Sequence, residues 1–189
     1  MKLAITGTIG SGKSTVSKII SELGYEVIDT DKLVHSFYEV DGLLYDWLIK
    51  EFSDEILDAN GLVDRAYLSE IVFSDRDKLE LLEKEVFKLV RTEIEEDVRP
   101  LVFYEVPLLY EAKLEDLFDY VVMVDASKEV RYERLSQRLG SFENFKKREK
   151  RQLSGEIKAS KSDFVIMNNG SLDDLKIKVD EVLRSVLSG

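Results

Sequence analysis

The sequence predicts an α/β fold in which a five-stranded parallel sheet carries helices on both faces. Short apolar runs, separated by segments of helical length, are the first reason for this prediction. The others are a glycine-rich turn after the first run and an amphipathic segment near the end of the chain. Because helical crossovers join the runs, the strands are expected to pair in parallel. The runs are residues 3–5, 25–28, 101–104, 120–124 and 164–167.

The helix after the glycine-rich turn is expected to pack one apolar stripe against the sheet. Val16, Ile19, Ile20 and Leu23 have the spacing i, i+3, i+4 and i+7 that aligns residues on one helical face. Gly24 is expected to end this helix. The first strand, this helix and the second strand thus form a βαβ unit.

Two helical segments interrupt the alternation. One has turn signals at Asp41-Gly42 and at residues 58–61 and contains no convincing strand. The other is a charged excursion between the fourth and fifth strands, after which residues 172–187 form the closing helix. We therefore predict a single domain whose parts are a core of residues 1–31, 100–139 and 162–189, a helical insertion of residues 32–99 and a helical lid of residues 140–161.

Composition limits the kinds of site and partner. The chain has 189 residues, no cysteine and one histidine, His35, which argues against disulfides, thiolate metal sites and zinc. Its net charge of −11 argues against a nucleic-acid-binding surface. No apolar run reaches membrane length, so we expect a cytoplasmic protein that does not bind membranes. No obligate protein partner is evident.

The glycine-rich turn, residues 7–14, matches the pattern G-x-x-x-x-G-K-S/T of a phosphate-binding loop between a strand and a helix. The alternative is a glycine-rich turn without chemical function. In a phosphate-binding loop, backbone N–H groups surround an anion at the positive N-terminus of the helix. We expect Lys13 to reach the β- and γ-phosphates, Ser14 to bind Mg²⁺ and Thr15 to lie beside the α-phosphate. This predicts the P-loop NTPase fold, with ATP bound by Gly10, Ser11, Gly12, Lys13, Ser14 and Thr15.

Such a loop, combined with an insertion and a lid, suits a small phosphoryl-transfer enzyme. The insertion can hold an acceptor molecule opposite the loop. The lid can exclude water, which would otherwise hydrolyse ATP.

Acidic residues at the carboxyl edge of the sheet are candidates for the chemistry. Asp31, like Asp29, follows the second strand and can accept a hydroxyl proton or order Mg²⁺ through water; alternatively, it caps the next helix. Glu105 closes the third strand and is either a carboxylate near the metal or an ordinary edge residue.

Basic residues occur in two groups. Arg131, Arg134 and Arg138 share one helical face, which favours an anionic ligand over a solvated face because like charges at this spacing repel. Residues 146–151 form a basic run that fits either a polyphosphate contact or a solvated helix face.

Further motifs follow in a fixed order along the chain. Residues 27–31 read V-I-D-T-D, residues 106–111 read V-P-L-L-Y-E and residues 134–138 read R-L-S-Q-R. Together with the loop, they resemble the dephospho-CoA kinase family, whose patterns are V-I-D-A-D, V-P-L-L-F-E and R-x-x-Q-R. Three further stretches are similar to patterns of this family. They are residues 60–65 with Leu68 and residues 72–73, the spacing of Arg148, Gln152 and Lys158, and residues 164–170.

This resemblance implies an ATP-dependent phosphotransferase that phosphorylates the 3′-hydroxyl of dephospho-CoA with Mg²⁺, giving CoA and ADP. Lys13 would be catalytic, as would Asp31, the base for the ribose hydroxyl, and Arg138, a lid residue on the transferred phosphate. The remaining implied contacts are Arg65 and the Leu108 to Glu111 stretch for dephospho-CoA, and Asn168 to Gly170 for the adenine of ATP.

The chain departs from the family at two places. Thr8 replaces the second glycine of the loop, which the fold permits if Thr8 does not need a positive φ. Phe87-Lys88 stands where the family has His-Pro, inside an unbroken helical pattern from residue 78 to residue 98. The contacts of the insertion with the acceptor are therefore expected to differ.

Two other functions are compatible with parts of the sequence. A nucleoside or nucleotide kinase of the same fold also needs a loop, a lid and an acceptor site, and only the family motifs argue against it. A guanine-nucleotide switch needs N/T-K-x-D after a strand, whereas the nearest string, residues 160–163, precedes the fifth strand.

Overall fold

The computed structural model describes residues 1–139, 142–150 and 152–188. The side chains of residues 137–139, 144, 147 and 148 are also outside this description. Parts of three sequence predictions are affected, and one of them is the predicted lid, of which residues 140, 141 and 151 are not described. The Arg138 side chain and part of the basic run at residues 146–151 lie outside the described residues.

The predicted five-stranded parallel sheet is confirmed. Its strands are β1 (Lys2–Gly7), β2 (Val27–Asp29), β3 (Val102–Glu105), β4 (Tyr120–Asp125) and β5 (Phe164–Met167), in the order β2-β3-β1-β4-β5. Each neighbouring pair is parallel. The two strands of the predicted βαβ unit, β1 and β2, are not hydrogen-bonded to each other, because β3 lies between them.

The chain divides into two compact units, Met1–Asp29 with Val98–Gly189, and Thr30–Asp97. The first unit contains the sheet and the helices α1 (Lys13–Glu22), α6 (Lys128–Leu139), α7 (Phe142–Glu149), α8 (Gly155–Ser160) and α9 (Leu172–Leu187), with a short 3₁₀ turn at Glu115–Leu117. The second contains α2 (Thr30–Phe37), α3 (Tyr45–Phe52), α4 (Arg65–Ser74) and α5 (Arg76–Glu96), with a 3₁₀ turn at Asp54–Ile56.

The core of the first unit forms where α1 and α9 pack against the sheet. Val16, Ile19 and Ile20 of α1 are buried there, as predicted. Leu23 is instead 54% exposed, because α1 ends at Glu22 and Gly24 turns the chain away with a φ of +93°. Alternate strand positions such as Met123 are also fully buried, which indicates that both faces of the sheet are covered.

The second unit is helical, as the sequence predicts for residues 32–99. Asp64 begins α4 by accepting hydrogen bonds from the backbone of Ala66 and Tyr67, and Asp75 begins α5 in the same way. Phe87-Lys88 lies within α5, whose helical pattern is unbroken. In the part of the chain that the structure describes, no helix is both long and apolar enough to span a bilayer.

Candidate functional site

The phosphate-binding loop connects β1 directly to α1, and its shape depends on glycine. Gly12 has a φ of +100°, and a Cβ there would lie 2.4 Å from Nδ2 of Asn168. Gly10 has a φ of +78°, and its Cβ would lie 2.8 Å from Cδ1 of Leu135. A side chain at either position would therefore strain the backbone and displace a neighbour. The loop is held in close contact with the start of the β5–α9 connection and with α6.

Thr8, which replaces a glycine of the family pattern, does not need a positive φ in this loop. The non-glycine residues with positive φ in the described chain are Asp41, Ser53 and Lys113, so Thr8 has an ordinary backbone conformation. Its hydroxyl donates to Oδ1 of Asp125 over 2.6 Å. The threonine therefore ties the loop to the end of β4, a bond that glycine cannot make.

The helix end and the charged side chain expected to bind phosphate lie together. Gly12 is the N-cap of α1 and, within the described part of the chain, no side chain caps this helix end. Lys13 begins the helix, and its Nζ donates to the carbonyls of Gly7 and Thr8 over 3.2 and 3.1 Å. Ser14 is exposed in the first turn, whereas Ser11 is buried. The helix dipole and the ammonium group thus favour an anion here.

Asn168, which the family resemblance implies at the adenine of ATP, lies beside the loop. It is buried, and its Nδ2 donates to the carbonyl of Ser11 over 2.8 Å. The backbone N–H of Asn168 donates to the carbonyl of Asp125 over 2.7 Å. Gly170 follows two residues later, where a Cβ would lie 2.6 Å from Oδ2 of Asp174. The turn after β5 is therefore fixed against the loop and against the start of α9.

Two arginines of α6 also reach the loop, although the sequence did not assign them to the ATP site. Arg134 donates to the carbonyls of Ser11 and Asn168 over 3.2 and 2.9 Å. Arg131 is buried, and it donates to the carbonyls of Ala126 and Ile9 and, over 2.8 Å, to Oε1 of Glu149. The i, i+3 spacing of Arg131 and Arg134 was the feature of the sequence from which their position could be predicted. It indicated a shared face but not these partners.

The contact between Arg131 and Glu149 fixes α7 to α6. Lys128 adds a second ion pair with Glu149 over 3.2 Å, and the ring of buried Phe145 lies beneath the Arg131 guanidinium at 5.4 Å. Burial acts to raise the pKa of the Glu149 carboxyl, but the hydrogen bonds from Arg131 and Lys128 outweigh it and lower the pKa. The carboxylate is therefore ionised at neutral pH.

Two carboxylates end neighbouring strands of the first unit. Asp29 of β2 and Glu105 of β3 are in register, and Glu105 is buried. The hydroxyl of Ser17, one turn after Ser14 on α1, donates to Oε2 of Glu105 over 2.7 Å. Among the described residues, no cluster of three or more His, Cys, Asp or Glu side chains forms a metal site by itself.

The residues predicted for the acceptor lie partly in the second unit. Asp31 is exposed in the first turn of α2, which begins at Thr30. Because α2 already includes Thr30, Asp31 is not the N-cap that the alternative interpretation made it, although a carboxylate in the first turn interacts favourably with the helix dipole. Arg65, at the start of α4, contacts the His35 ring and lies 5.3 Å from the centre of the Tyr38 ring. Burial raises the pKa of Tyr38, opposed by the Arg65 charge.

Leu108 and Glu111 belong to the first unit. Leu108 is partly buried in the turn after β3. Glu111 forms an ion pair with Lys158 over 3.0 Å, a contact that the sequence did not predict.

A cavity of about 470 Å³ lies next to the start of the phosphate-binding loop. Its lining includes Thr8, Asp125, Arg131, Gln152 and Ser154. The predicted lid segment therefore lines a space beside the loop.

The chain matches known proteins over nearly its whole length. The family model for dephospho-CoA kinase matches residues 1–174. The dephospho-CoA kinase of Aquifex aeolicus is 38% identical over 186 residues, which cover 96% of this chain and 95% of that protein. The enzyme of that name from Fusobacterium nucleatum is 35% identical, with 98% of each chain covered.

Solved structures with a similar fold also include a dephospho-CoA kinase. The dephospho-CoA kinase of Campylobacter jejuni has a TM-score of 0.74 and 29% identity, with 98% of each chain covered. A Thermus thermophilus protein has a TM-score of 0.80 and 35% identity, covering 100% of this chain and 98% of that one. A shikimate kinase of Acinetobacter baumannii has a TM-score of 0.56 at 16% identity, which supports the fold alone.

Proposed function

The chain belongs to the dephospho-CoA kinase family, and we propose that it transfers the γ-phosphoryl group of ATP to the 3′-hydroxyl of dephospho-CoA. The products are CoA and ADP, and the reaction is the last step of coenzyme A biosynthesis. The near-full-length family match carries this assignment, and the intact phosphate-binding loop supports it. The match does not favour a nucleoside or nucleotide kinase.

The described residues beside the loop support ATP as the donor. The N-terminus of α1 and the Lys13 ammonium can balance the charge of the β- and γ-phosphates. In this structure Lys13 bonds to two loop carbonyls, and a phosphate would offer it a stronger, charged partner. Arg134 and Asn168 border the loop at Ser11, where we place the adenosine end of ATP.

The residues present also fit a magnesium ion. Mg²⁺ is usually bound by one or two carboxylates, several waters and the substrate's phosphates. Ser14 offers an exposed hydroxyl, and Glu105 lies at the carboxyl end of the neighbouring strand β3, bonded to Ser17. We propose that Ser14 would hold the ion directly and Glu105 through water. A bound Mg²⁺ would neutralise phosphate charge during transfer.

For the acceptor, Asp31 is proposed as the base that accepts the proton of the ribose 3′-hydroxyl. It follows the end of β2 by two residues, and the carboxyl ends of parallel strands are where such sheets bind ligands. Arg65 and the turn from Leu108 to Glu111 are proposed to hold dephospho-CoA, with the Glu111 carboxylate acting through its bonds to Lys158 and Leu153 and not by touching the acceptor. The contacts of Arg65 with His35 and Tyr38 restrict its guanidinium group, which reduces the entropy lost on binding.

The proposal is tested by measuring ADP release with ATP, Mg²⁺ and a panel of acceptors. Dephospho-CoA should give the highest kcat/KM, and AMP, CMP, dTMP and adenosine should give little above the rate without acceptor. A higher kcat/KM with any of the other four would instead support a nucleoside or nucleotide kinase. ADP release that does not depend on an acceptor would identify an ATPase.

Asp31→Asn should lower kcat by about 10²-fold, because the amide keeps the size of the side chain but cannot accept the proton. Thermal stability should change little, since the first-turn charge of α2 contributes less than about 1 kcal/mol. Measuring kcat and the melting temperature of the same preparation checks both. A variant that melts earlier yet turns over normally would show that Asp31 serves only the helix.

A further inference from the structure

Lys158 of α8 is a fully buried charge outside the residues assigned to catalysis. None of its surface is exposed to solvent. Its Nζ lies 3.0 Å from Oε1 of Glu111 and donates to the carbonyl of Pro107 over 2.9 Å. Burial lowers the pKa of Lys158, and the ion pair with Glu111 opposes this. Both contacts attach α8 to the turn that follows β3.

The same carboxylate holds a second segment. Oε1 of Glu111 accepts a hydrogen bond from the backbone N–H of Leu153 over 2.8 Å. Oε2 is buried, and no hydrogen bond from the described residues satisfies it. Burying an ion pair with an unsatisfied oxygen costs desolvation energy, so apolar residues of the same size often stabilise a fold equally well. Stability alone is therefore a weak explanation for this pair.

The segment held by Glu111 lies against the phosphate-binding loop. Gln152, Leu153, Ser154 and Gly155 line the cavity beside Thr8 and Asp125. Gly155 is so close that a Cβ there would lie 2.8 Å from Oδ2 of Asp125. The ion pair thus joins the turn proposed to face the acceptor with a segment beside the loop that binds the donor.

We propose that Lys158 and Glu111 are positioning residues that fix the C-terminal end of the lid. Residues 152–155 and α8 stay attached to the turn after β3 through the bonds of Glu111 to Leu153 and Lys158. The fixed end keeps the cavity beside Thr8 in the shape needed when the lid closes. This role depends on the proposed kinase function.

Three variants separate positioning from stability. Lys158→Met and Glu111→Gln each leave a buried partner without its counter-charge, and each should lower the melting temperature by about 10 °C. The double variant Lys158→Met with Glu111→Leu replaces the pair by apolar groups and should recover most of that loss. Its kcat should nevertheless stay at least tenfold below the wild-type value, with a smaller change in the KM for ATP. Hydrogen exchange of the backbone amides of residues 153–158 should be faster than in the wild type.

Lys161→Met is the matched control. Lys161 directly follows α8 and pairs with Glu115 over 3.4 Å, but its side chain is about half exposed. This variant should keep the wild-type kcat and hydrogen exchange. If the double variant recovers both melting temperature and kcat, the pair is structural and the proposal is wrong. The exchange measurement needs no turnover, so it tests the anchor even if the wild type fails to use dephospho-CoA, a result that would overturn the proposed function instead.

Discussion

Lys13→Ala should lower kcat by about 10³-fold while leaving the protein folded. The ammonium group of Lys13 lies at the loop, where it can stabilise the β- and γ-phosphates as charge redistributes during transfer. Its loss removes two hydrogen bonds to loop carbonyls from a partly exposed side chain, which should cost about 1–2 kcal/mol of unfolding free energy at most. Steady-state ADP release and thermal melting measure the two effects.

Lys18→Ala is the matched control for this prediction. Lys18 belongs to the same helix, but its side chain is 76% exposed and it pairs only weakly, with Glu22 at 3.7 Å. It should turn over like the wild type. If Lys13→Ala retains a rate within a few-fold of the wild type, the loop is not catalytic and the kinase assignment loses its chemical basis.

The features that sequence predicted well are those that depend on neighbours in the chain. The strand, the glycine-rich turn and the helix at residues 2–22 follow from local apolar periodicity and from the backbone freedom of glycine. The boundaries of β5 and α9 also match their predicted positions, because each is flanked by clear turn or cap residues. Ser171 begins α9 with a capping box that includes Asp174.

The features that sequence did not predict are contacts between distant segments. Nothing near Arg131 in the chain indicates that its charge meets Glu149, and nothing near Lys158 indicates that it meets Glu111. Charged residues are usually exposed, so the spacing of Arg131 favoured a face that binds an anionic ligand, whereas Lys158 was predicted only to match a spacing of the family. The position of β3 between β1 and β2 likewise depends on tertiary packing, which local periodicity does not encode.

The three arginines of α6 are therefore not equivalent. Arg131 and Arg134 bond to the protein itself, one to Glu149 and the other to the carbonyls of Ser11 and Asn168. Arg138 follows Arg134 by four residues near the end of the same helix, where the predicted lid begins. The family resemblance implies that Arg138 contacts the transferred phosphate. Because Arg131 and Arg134 are bonded to the protein, we propose this role for Arg138 alone.

Arg138→Ala should accordingly lower kcat by about 10² to 10⁴-fold, with a smaller effect on the KM for ATP, because the guanidinium is proposed to stabilise charge that develops during transfer. Arg138→Lys should recover only part of the loss, since an ammonium group lacks the planar pair of donors.

Arg184→Ala, which removes a 79% exposed arginine of α9, is the control and should behave like the wild type. Full kinetic curves in ATP and dephospho-CoA separate kcat from KM. An Arg138→Ala enzyme that is weakened only in its KM for ATP would make Arg138 a ground-state nucleotide contact, and the lid would then close over ATP without taking part in the transfer.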